Sequence, residues 1–396
     1  MDAQDSQWMA YALRLAERGL YSTSPNPRVG CVLVNGGKVV GSGWHQRAGD
    51  AHAEVYALRE AGEAARGATA YVTLEPCGHH GRTPPCANAL VAAGVVRVVV
   101  ATQDPNPLVA GAGNVILSAA GIAVECGLMQ TEAQALNVGF FARMTRGTPW
   151  LRSKIAMSLD GRTALANGVS QWISGDAARR DVQHWRARSC AVLTGIGTVL
   201  ADDPRLNVRG IEGEIFAVQG GNSNPPSPPG QGGAGAPPLI RGGREGLQLR
   251  QPLRVVLDSQ LRIPLSARIL EGGTVLVYTA FSDEKKIAAL EKISVTVCVI
   301  PADNGQVDLS AMLSDLAQRG CNEVLVEAGS ALNGALLRAG LVDELLLYIA
   351  PQLLGDAARE MAQLGELIAL DQCVKLAWRD VRQVGSDLRI TVAITK

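Results

Sequence analysis

The sequence predicts two α/β domains in one chain. Its length of 396 residues suits two domains. Strand-like runs of β-branched residues alternate with helical patterns, and the sequence changes character at residues 146–149. We therefore expect domains over residues 1–147 and 148–396. Hydrophobic residues make up 47 % of the chain, enough to form a core in each domain.

The first domain is predicted to open with a helix over residues 6–17. Trp8, Ala12 and Ala16 share one face there, and Gly19 marks its end. A hairpin follows, with its turn at Asn35-Gly36-Gly37. The later elements are helix HAEVYALREAGEAA, strand ATAYVTL, helix CANALVAA, strands VVRVVVA and GIAVEC, and helix TEAQALNVGFFARM. This order implies a mixed or mostly parallel sheet covered by helices.

The second domain is predicted to begin with a strand and to continue in the same alternating way. Its strands are LRSKIAMSL, CAVLTG, LRVVLD, TVLVYT, SVTVCVI, NEVLVEAG, DELLLYIA and LRITVAIT, and its helices are GDAARRDVQHWRARS and ALNGALLRAG. Residues 211–250 form a variable insertion rich in proline and glycine, which we interpret as a flexible surface loop. Both an inert linker and a mobile flap fit that composition. The G-x-G-x-x-G match at residues 230–235 follows no strand and opens no helix, so we reject it as a nucleotide motif.

Composition narrows the class of function. The net charge is zero and aromatic residues make up 4 % of the chain, whereas a nucleic-acid binder usually carries a basic surplus. We therefore expect a small-molecule substrate and no nucleic-acid partner. The N-terminal segment lacks a signal-peptide pattern and no stretch is apolar enough to span a bilayer, so we expect a cytoplasmic protein without a membrane partner. In that setting, clustered cysteines indicate metal binding or catalysis.

One constellation in the first domain carries specific chemistry. His52 and Glu54 form an H-x-E pair at a predicted helix start, and Cys77 follows a proline. Cys86 opens another predicted helix. Imidazole and thiolates are preferred zinc ligands, and a catalytic zinc uses three of them. The metal lowers the pKa of bound water from about 15.7 to roughly 7, and a nearby glutamate can carry its proton. We predict a hydrolytic deaminase with zinc on His52, Cys77 and Cys86.

The loop between the two cysteines leaves alternatives open. His79 and His80 could replace a cysteine as ligands, although a polar pocket lining is the simpler interpretation. Arg82 could meet a substrate phosphate or be a solvated loop charge. We expect His45 to be a surface or packing residue.

These motifs resemble the bifunctional deaminase and reductase family of riboflavin biosynthesis. The segments SPNPRVGCV, HAEVYAL, YVTLEPCGHHGRTPPC and QDPNPLVAG are similar to its deaminase half. The segments KIAMSLDGRTA, SQWISG, LTGIGTVLADDPRLNVR, VEAGSALNGALL and GLVDELLLYIAPQLLG are similar to its reductase half. The resemblance implies a cytidine-deaminase-like α/β/α domain followed by a dihydrofolate-reductase-like α/β domain. It also implies removal of an amino group from a phosphoribosylated diaminopyrimidine, then NADPH-dependent reduction of the ribosyl group to ribityl.

The resemblance also implies site residues. Zinc is expected on His52, Cys77 and Cys86, with Glu54 as the proton carrier. Expected deaminase substrate contacts are Asn26, Arg82, Asp104 and Asn106. Expected reductase substrate contacts are Ser170, Arg186, Leu206, Arg209 and Glu327. Expected NADPH contacts are Ala156, Trp172, Thr198, Asp202, Ser259, Gly329, Ser330, Ala331, Leu332, Asn333, Gly334 and Ala335. Lys154 is expected to face the reductase pocket, and the sequence does not identify the acid that protonates the opened sugar.

One departure from the family pattern and two alternatives remain. Members often carry a basic residue where this chain has Gly111-Ala112-Gly113, so phosphate binding in the deaminase could be weaker. The alternatives are a nucleic-acid-editing deaminase and a deaminase whose second domain has lost its chemistry and serves for dimerisation or regulation. Reductase domains of this kind commonly pair through sheet edges, so we expect a homodimer or homotetramer.

Overall fold

A computed structural model describes residues 2–78, 85–107, 109–215 and 250–395. The chain divides into two compact units. The first comprises Met1–Gly147 with Glu212–Arg250, and the second comprises Thr148–Ile211 with Gln251–Lys396. Among the described residues, no helix is long and apolar enough to cross a membrane.

The first unit is a five-stranded mixed sheet with helices on both faces. Its elements are α1 (Ala3–Glu17), β1 (Gly30–Asn35), β2 (Lys38–Trp44), α2 (Ala53–Ala61), β3 (Thr69–Val72), α3 (Cys86–Ala92), β4 (Arg97–Val100), α4 (Ala112–Ala119), β5 (Ala123–Cys126), α5 (Gln130–Leu136) and α6 (Val138–Arg146). The strand order is β2-β1-β3-β4-β5, with β1 antiparallel to β2 and β3 and the remaining pairs parallel.

Alternation along the strands builds a core on each face of this sheet. Leu33 and Val98 point to the side covered by α2, α3 and α4, whereas their neighbours Val32 and Val99 pack on α1. Helix α2 lies very close to β2, because a Cβ at Gly43 would stand 2.4 Å from the carbonyl oxygen of Ala53. This close packing fixes the N-terminus of α2.

The predicted helix over residues 131–144 is interrupted. The structure has α5 and α6 instead, with a break at Asn137. The side chain of Asn137 accepts from the Arg28 N–H at 2.8 Å and donates to the Arg28 carbonyl at 2.9 Å. These long-range hydrogen bonds hold the break.

The second unit is a nine-stranded, mostly parallel sheet with core clusters on both faces. Its elements are β6 (Trp150–Ser158), β7 (Arg162–Ala164), α7 (Asp176–Arg188), β8 (Ala191–Gly195), α8 (Ile196–Asp202), β9 (Leu253–Leu257), β10 (Val275–Thr279), α9 (Glu284–Glu291), β11 (Val295–Val299), α10 (Leu309–Gln318), β12 (Glu323–Val326), α11 (Ser330–Arg338), β13 (Glu344–Ala350), β14 (Arg359–Glu360), β15 (Leu376–Val384) and β16 (Asp387–Ile394).

The large sheet has the order β11-β10-β9-β8-β12-β6-β13-β16-β15, and β7 pairs with β14 in a separate ribbon. Strands from β11 to β13 run parallel, whereas β16 and β15 are antiparallel additions at one edge. Ligands of open parallel sheets bind beyond the carboxyl ends of the strands, so the loops after β8, β9 and β12 are where a site is expected.

Candidate active sites

The three side chains predicted to bind zinc converge in the first unit. His52 is the N-cap of α2, Cys86 is the first residue of α3, and Cys77 lies in the segment after β3. The His52 Nδ1 atom is 3.6 Å from the Cys77 Sγ and 3.3 Å from the Cys86 Sγ. All three donor atoms lie within 4.8 Å of one another. Tetrahedral zinc with ordinary bond lengths holds nitrogen and sulfur donors about 3.6 Å apart, so this triad fits the ion.

Hydrogen bonding within the triad distinguishes its two thiols. The Cys86 thiol, the Cys86 N–H and the His52 ring lower the pKa of Cys77 to about 4. The same contact with Cys77, together with burial, raises the pKa of Cys86. A bound metal cation would stabilise both thiolates.

Glu54 stands beside the triad in the first turn of α2 and is 3 % exposed. Its Oε2 atom is buried and has no hydrogen-bond partner among the described residues. Burial raises the pKa of Glu54 to about 7. A carboxyl group with that pKa can both take and release a proton at neutral pH.

His45 is buried next to His52. Of the two roles expected for it, a surface residue or a packing residue, the structure supports the second. Its ring meets the His52 ring edge-on at 5.3 Å. The His45 Nδ1 donates to the Ala51 carbonyl at 3.0 Å, so the Nε2 can accept from the Asn26 amide at 3.1 Å. Asn26 is thereby held one side chain away from His52. The signal in the sequence was a lone histidine directly after a strand, which is weak.

Asp104 and Asn106 follow β4 on a loop anchored to the metal-binding segment. The Asp104 carboxylate accepts from the Asn106 N–H at 2.8 Å, and the Asp104 N–H donates to Glu75 at 3.2 Å. Glu75 precedes Cys77 by two residues. Sequence reasoning missed Glu75. Arg82, His79 and His80 lie outside the described residues.

The second unit contains a cavity of about 1970 Å³ at the expected edge of its sheet. Most of the residues predicted to bind substrate or NADPH line it. They are Ala156, Ser170, Trp172, Arg186, Thr198, Asp202, Leu206, Arg209, Ser259, Glu327, Gly329, Ser330, Ala331, Leu332 and Ala335. Lys154 also lines the cavity, as expected.

Two of the predicted cofactor contacts do not line this cavity. The Asn333 side chain is buried and bonds to Ser153 and to the carbonyls of Ala328 and Met361. A Cβ at Gly334 would stand 2.1 Å from the Gln363 carbonyl. Consecutive residues of a helix are rotated by about 100°, so only some residues of α11 can face the cavity. Asn333 and Gly334 lie on the opposite face.

Two helix N-termini open into the cavity. Gly195 caps α8 and Gly329 caps α11, and neither cap carries a side-chain hydrogen bond. A Cβ at Gly329 would meet nothing closer than the Thr198 hydroxyl at 4.0 Å, so the backbone there is open to a ligand. Free N–H groups at a helix start suit a phosphate, and the nine-residue α11 adds its dipole.

A paired carboxylate forms one wall of the cavity. The Arg186 Nε is 2.5 Å from one Glu327 carboxylate oxygen, and the Nη2 is 2.9 Å from the other. Burial works against ionisation of Glu327, but Arg186 and then Lys154 lower its pKa below the usual value. Burial also lowers the pKa of Lys154. The exposed Arg209 side chain donates to the Asn207 side chain, whereas Arg186 donates to the Glu327 carboxylate.

Trp172 is 67 % exposed and lines the same cavity. The Arg179 guanidinium lies over its ring, 4.5 Å from the centroid. Arg179 also bonds to Asp176 and to the Ser174 carbonyl, so the ring rests on an anchored cation. An exposed indole held in this way offers a flat face to a planar ligand.

Comparison with known families matches both units. The model for the cytidine and deoxycytidylate deaminase zinc-binding region matches residues 2–102, and the model for the RibD C-terminal domain matches residues 149–390. The chain is 48 % identical to the riboflavin biosynthesis protein RibD of Escherichia coli K12 over 391 residues, which are 97 % of this chain and 98 % of that protein. It is 44 % identical to the RibD of Haemophilus influenzae, with 98 % of this chain and 97 % of that protein covered.

Solved structures are similar over the whole chain. The Acinetobacter baumannii RibD, form 1, has a TM-score of 0.86 at 46 % identity, with 99 % of each chain covered. A diaminohydroxyphosphoribosylaminopyrimidine deaminase/5-amino-6-(5-phosphoribosylamino)uracil reductase from Thermotoga maritima has a TM-score of 0.80 at 29 % identity, with 99 % of each chain covered.

Proposed function

Since the chain belongs to the RibD family of riboflavin biosynthesis proteins, we propose that its two sites perform the two reactions named for its relatives. The chain is a bifunctional enzyme, a zinc-dependent deaminase in its first unit and an NADPH-dependent reductase in its second. The observation that carries the deaminase assignment is the His52–Cys77–Cys86 triad beside the buried, unpaired oxygen of Glu54.

The deaminase substrate is 2,5-diamino-6-(5-phosphoribosylamino)pyrimidin-4-one. His52, Cys77 and Cys86 would hold a zinc ion, which would supply a water of lowered pKa as the nucleophile. Glu54 would take a first proton from the attacking water and give it to the ring nitrogen. It would then take the second proton from the resulting hydroxyl and give it to the amine, so that ammonia leaves and a carbonyl remains. Asn26, Asp104 and Asn106 bind the pyrimidine, and Arg82 meets the phosphate.

The reductase site reduces the ribosyl group of the deaminated product. NADPH supplies the hydride. The open N-terminus of α11 at Gly329–Ser330 would hold a phosphate of the cofactor, and the exposed face of Trp172 would contact one of its planar rings. Arg209 faces the substrate phosphate, while the fixed Arg186–Glu327 pair and Lys154 surround the sugar.

We also propose that two copies pair through β15. This strand lies at the edge of the large sheet and exposes Leu376, Trp378 and Val381, with Trp378 72 % exposed. Edge strands with apolar side chains favour pairing with another strand. Light scattering of the purified protein should give a dimer or tetramer, and a Trp378→Lys variant should shift it towards the monomer.

All eight cysteines are free, which suits the reducing cytoplasm as the place of action.

An assay of the purified protein tests the two activities together. The phosphoribosylated diaminopyrimidine is supplied with and without NADPH, and ammonia and NADPH absorbance are followed in parallel. We expect ammonia in both cases and NADPH oxidation only after deamination. Ammonia without any NADPH oxidation would instead support a deaminase with an inactive second domain.

A further inference from the structure

Glu75 is a buried carboxylate that has no role in either of the two proposed reactions so far. It is 4 % exposed and lies between β3 and the zinc ligand Cys77. One of its carboxylate oxygens accepts from the N–H groups of Asp104 at 3.2 Å and Gly111 at 3.0 Å. The other accepts from the N–H groups of Gly113 at 3.0 Å and Asn114 at 3.3 Å. Four backbone donors therefore converge on one side chain.

The backbone around Glu75 packs without spare room. A Cβ at Gly113 would stand 1.8 Å from the Pro76 carbonyl oxygen, and a Cβ at Gly78 would stand 2.8 Å from the carbonyl carbon of Ala112. The Glu75 N–H also donates to the Thr102 carbonyl at 3.0 Å, which ties the ends of β3 and β4 together. The segment that carries Cys77 and the start of α4 are thus joined through Glu75.

This junction extends to the proposed substrate contacts. Glu75 fixes the Asp104 N–H, and the Asp104 carboxylate in turn fixes the Asn106 N–H at 2.8 Å. A chain of hydrogen bonds therefore runs from Glu75 to Asn106. Glu75 also occupies the N–H groups of Gly111 and Gly113 at the start of α4, so those groups are not available to the substrate phosphate.

We propose that Glu75 is a positioning residue of the deaminase, which holds Asp104 and Asn106 at a fixed place relative to the zinc ligands. This inference rests on the proposed function, because it needs those two residues to contact substrate. Glu75 does not touch substrate itself. Its removal should therefore weaken substrate binding more than it changes the metal or the proton carrier.

The test is steady-state ammonia release by the full-length Glu75→Gln protein. Glutamine has the same size, but only one of its two terminal atoms can accept hydrogen bonds, so one pair of backbone N–H groups loses its acceptor. We expect the KM for the diaminopyrimidine to rise by about tenfold to a hundredfold, since displacements near 1 Å have costs of that size. The kcat should fall less, and zinc content and NADPH oxidation on deaminated substrate should stay unchanged.

Two further variants separate positioning from general stability. Asp5→Asn removes another buried carboxylate of the same unit, one that binds Tyr71 and Arg97, and should lower the melting temperature while the KM is retained. In a double mutant with Asn106→Ala, the Glu75→Gln effect on KM should largely disappear, because both changes act on one contact. If Glu75→Gln does not fold, Glu75→Asp is measured by the same criteria.

Four results would overturn the assignment. An unchanged KM, or KM effects that add in the double mutant, would show that Glu75 does not act through Asn106. Loss of zinc with activity would show that Glu75 supports the metal ligands instead. Absence of ammonia release by the unaltered protein would overturn the proposed function, and the Glu75 assignment with it.

Discussion

Two glutamates with little solvent exposure, one in each unit, have opposite surroundings. Glu54 keeps an unpartnered oxygen among the described residues, and burial raises its pKa to about 7. Glu327 is held at both oxygens by Arg186, which keeps its pKa below the usual value. The hydrogen-bond partners around a glutamate therefore determine its pKa and the chemistry that it can perform. A carboxyl with one free oxygen can move a proton, whereas a carboxylate paired at both oxygens keeps its charge and its place.

The largest effect should come from Glu54, the glutamate with a free oxygen. Glu54→Gln removes the group that carries protons, so ammonia release should fall by at least about 10²–10⁴-fold. Zinc content and NADPH oxidation on deaminated substrate should be preserved, because the change lies in the first unit only. Glu63→Gln, an exposed carboxylate just beyond α2, serves as the control and should leave both activities intact. Loss of both activities in Glu54→Gln would end the picture of two independent sites.

The paired glutamate should respond to a change in its partner. Arg186→Lys keeps the positive charge but loses the two parallel hydrogen bonds to Glu327. Charged hydrogen bonds contribute about 1.5–3 kcal/mol, so kcat/KM of the reductase should fall by about tenfold to a hundredfold. Ammonia release should not change. Arg319→Lys alters an exposed ion pair in the same unit and should leave both rates unaltered. An unchanged kcat/KM of the reductase in Arg186→Lys would contradict the role given to the Arg186–Glu327 pair.

A smaller effect is expected at the cofactor. Trp172→Ala removes the exposed ring that rests on Arg179, and aromatic contacts of this kind contribute about 0.5–1.5 kcal/mol beyond area. The KM for NADPH should rise by about threefold to tenfold, with unchanged ammonia release. Leu370→Ala, which changes an exposed apolar side chain of the same unit outside the cavity, provides the control. Equal KM values for NADPH in the two variants would argue against a cofactor role for Trp172.

The smallest effect concerns stability and pH. Arg97 and Tyr71 hold the pKa of Asp5 far below its usual value, although burial opposes them. A lowered carboxyl pKa stabilises the fold above the unfolded value of about 3.9, and the contribution is lost as the pH falls further. Asp5→Asn should therefore lower the melting temperature by a few degrees at pH 7, corresponding to about 1–3 kcal/mol. Below pH 4 the two melting temperatures should converge, and a constant difference down to pH 2 would contradict the account.

The sequence predicted most strands and the clustering of His52, Cys77 and Cys86, because both depend on local information. His52, Cys77 and Cys86 are recognised by residue type and spacing, and strands such as β8 by apolar runs. Strand β15 was missed, since charged residues interrupt its pattern and most of it is exposed. The break at Asn137 and the role of Glu75 depend on partners many residues away, which no local pattern encodes.

The predicted reductase contacts show a second limit. A whole segment, residues 329–335, was assigned to the cofactor, but it forms the first turns of α11. Only one face of a helix can meet a ligand, and Asn333 and Gly334 are on the other. The sequence could therefore identify the segment that lines the cavity. Only the folded structure shows which face of α11 points towards it.

The most direct test of the central claim, that each unit runs its own chemistry, is removal of zinc. The purified protein is stripped with a chelator, and ammonia release and NADPH oxidation on deaminated substrate are measured before and after zinc is returned. We predict that ammonia release is lost and then restored, while NADPH oxidation does not change. A parallel loss of both activities would contradict the account, and so would full ammonia release by the zinc-free protein.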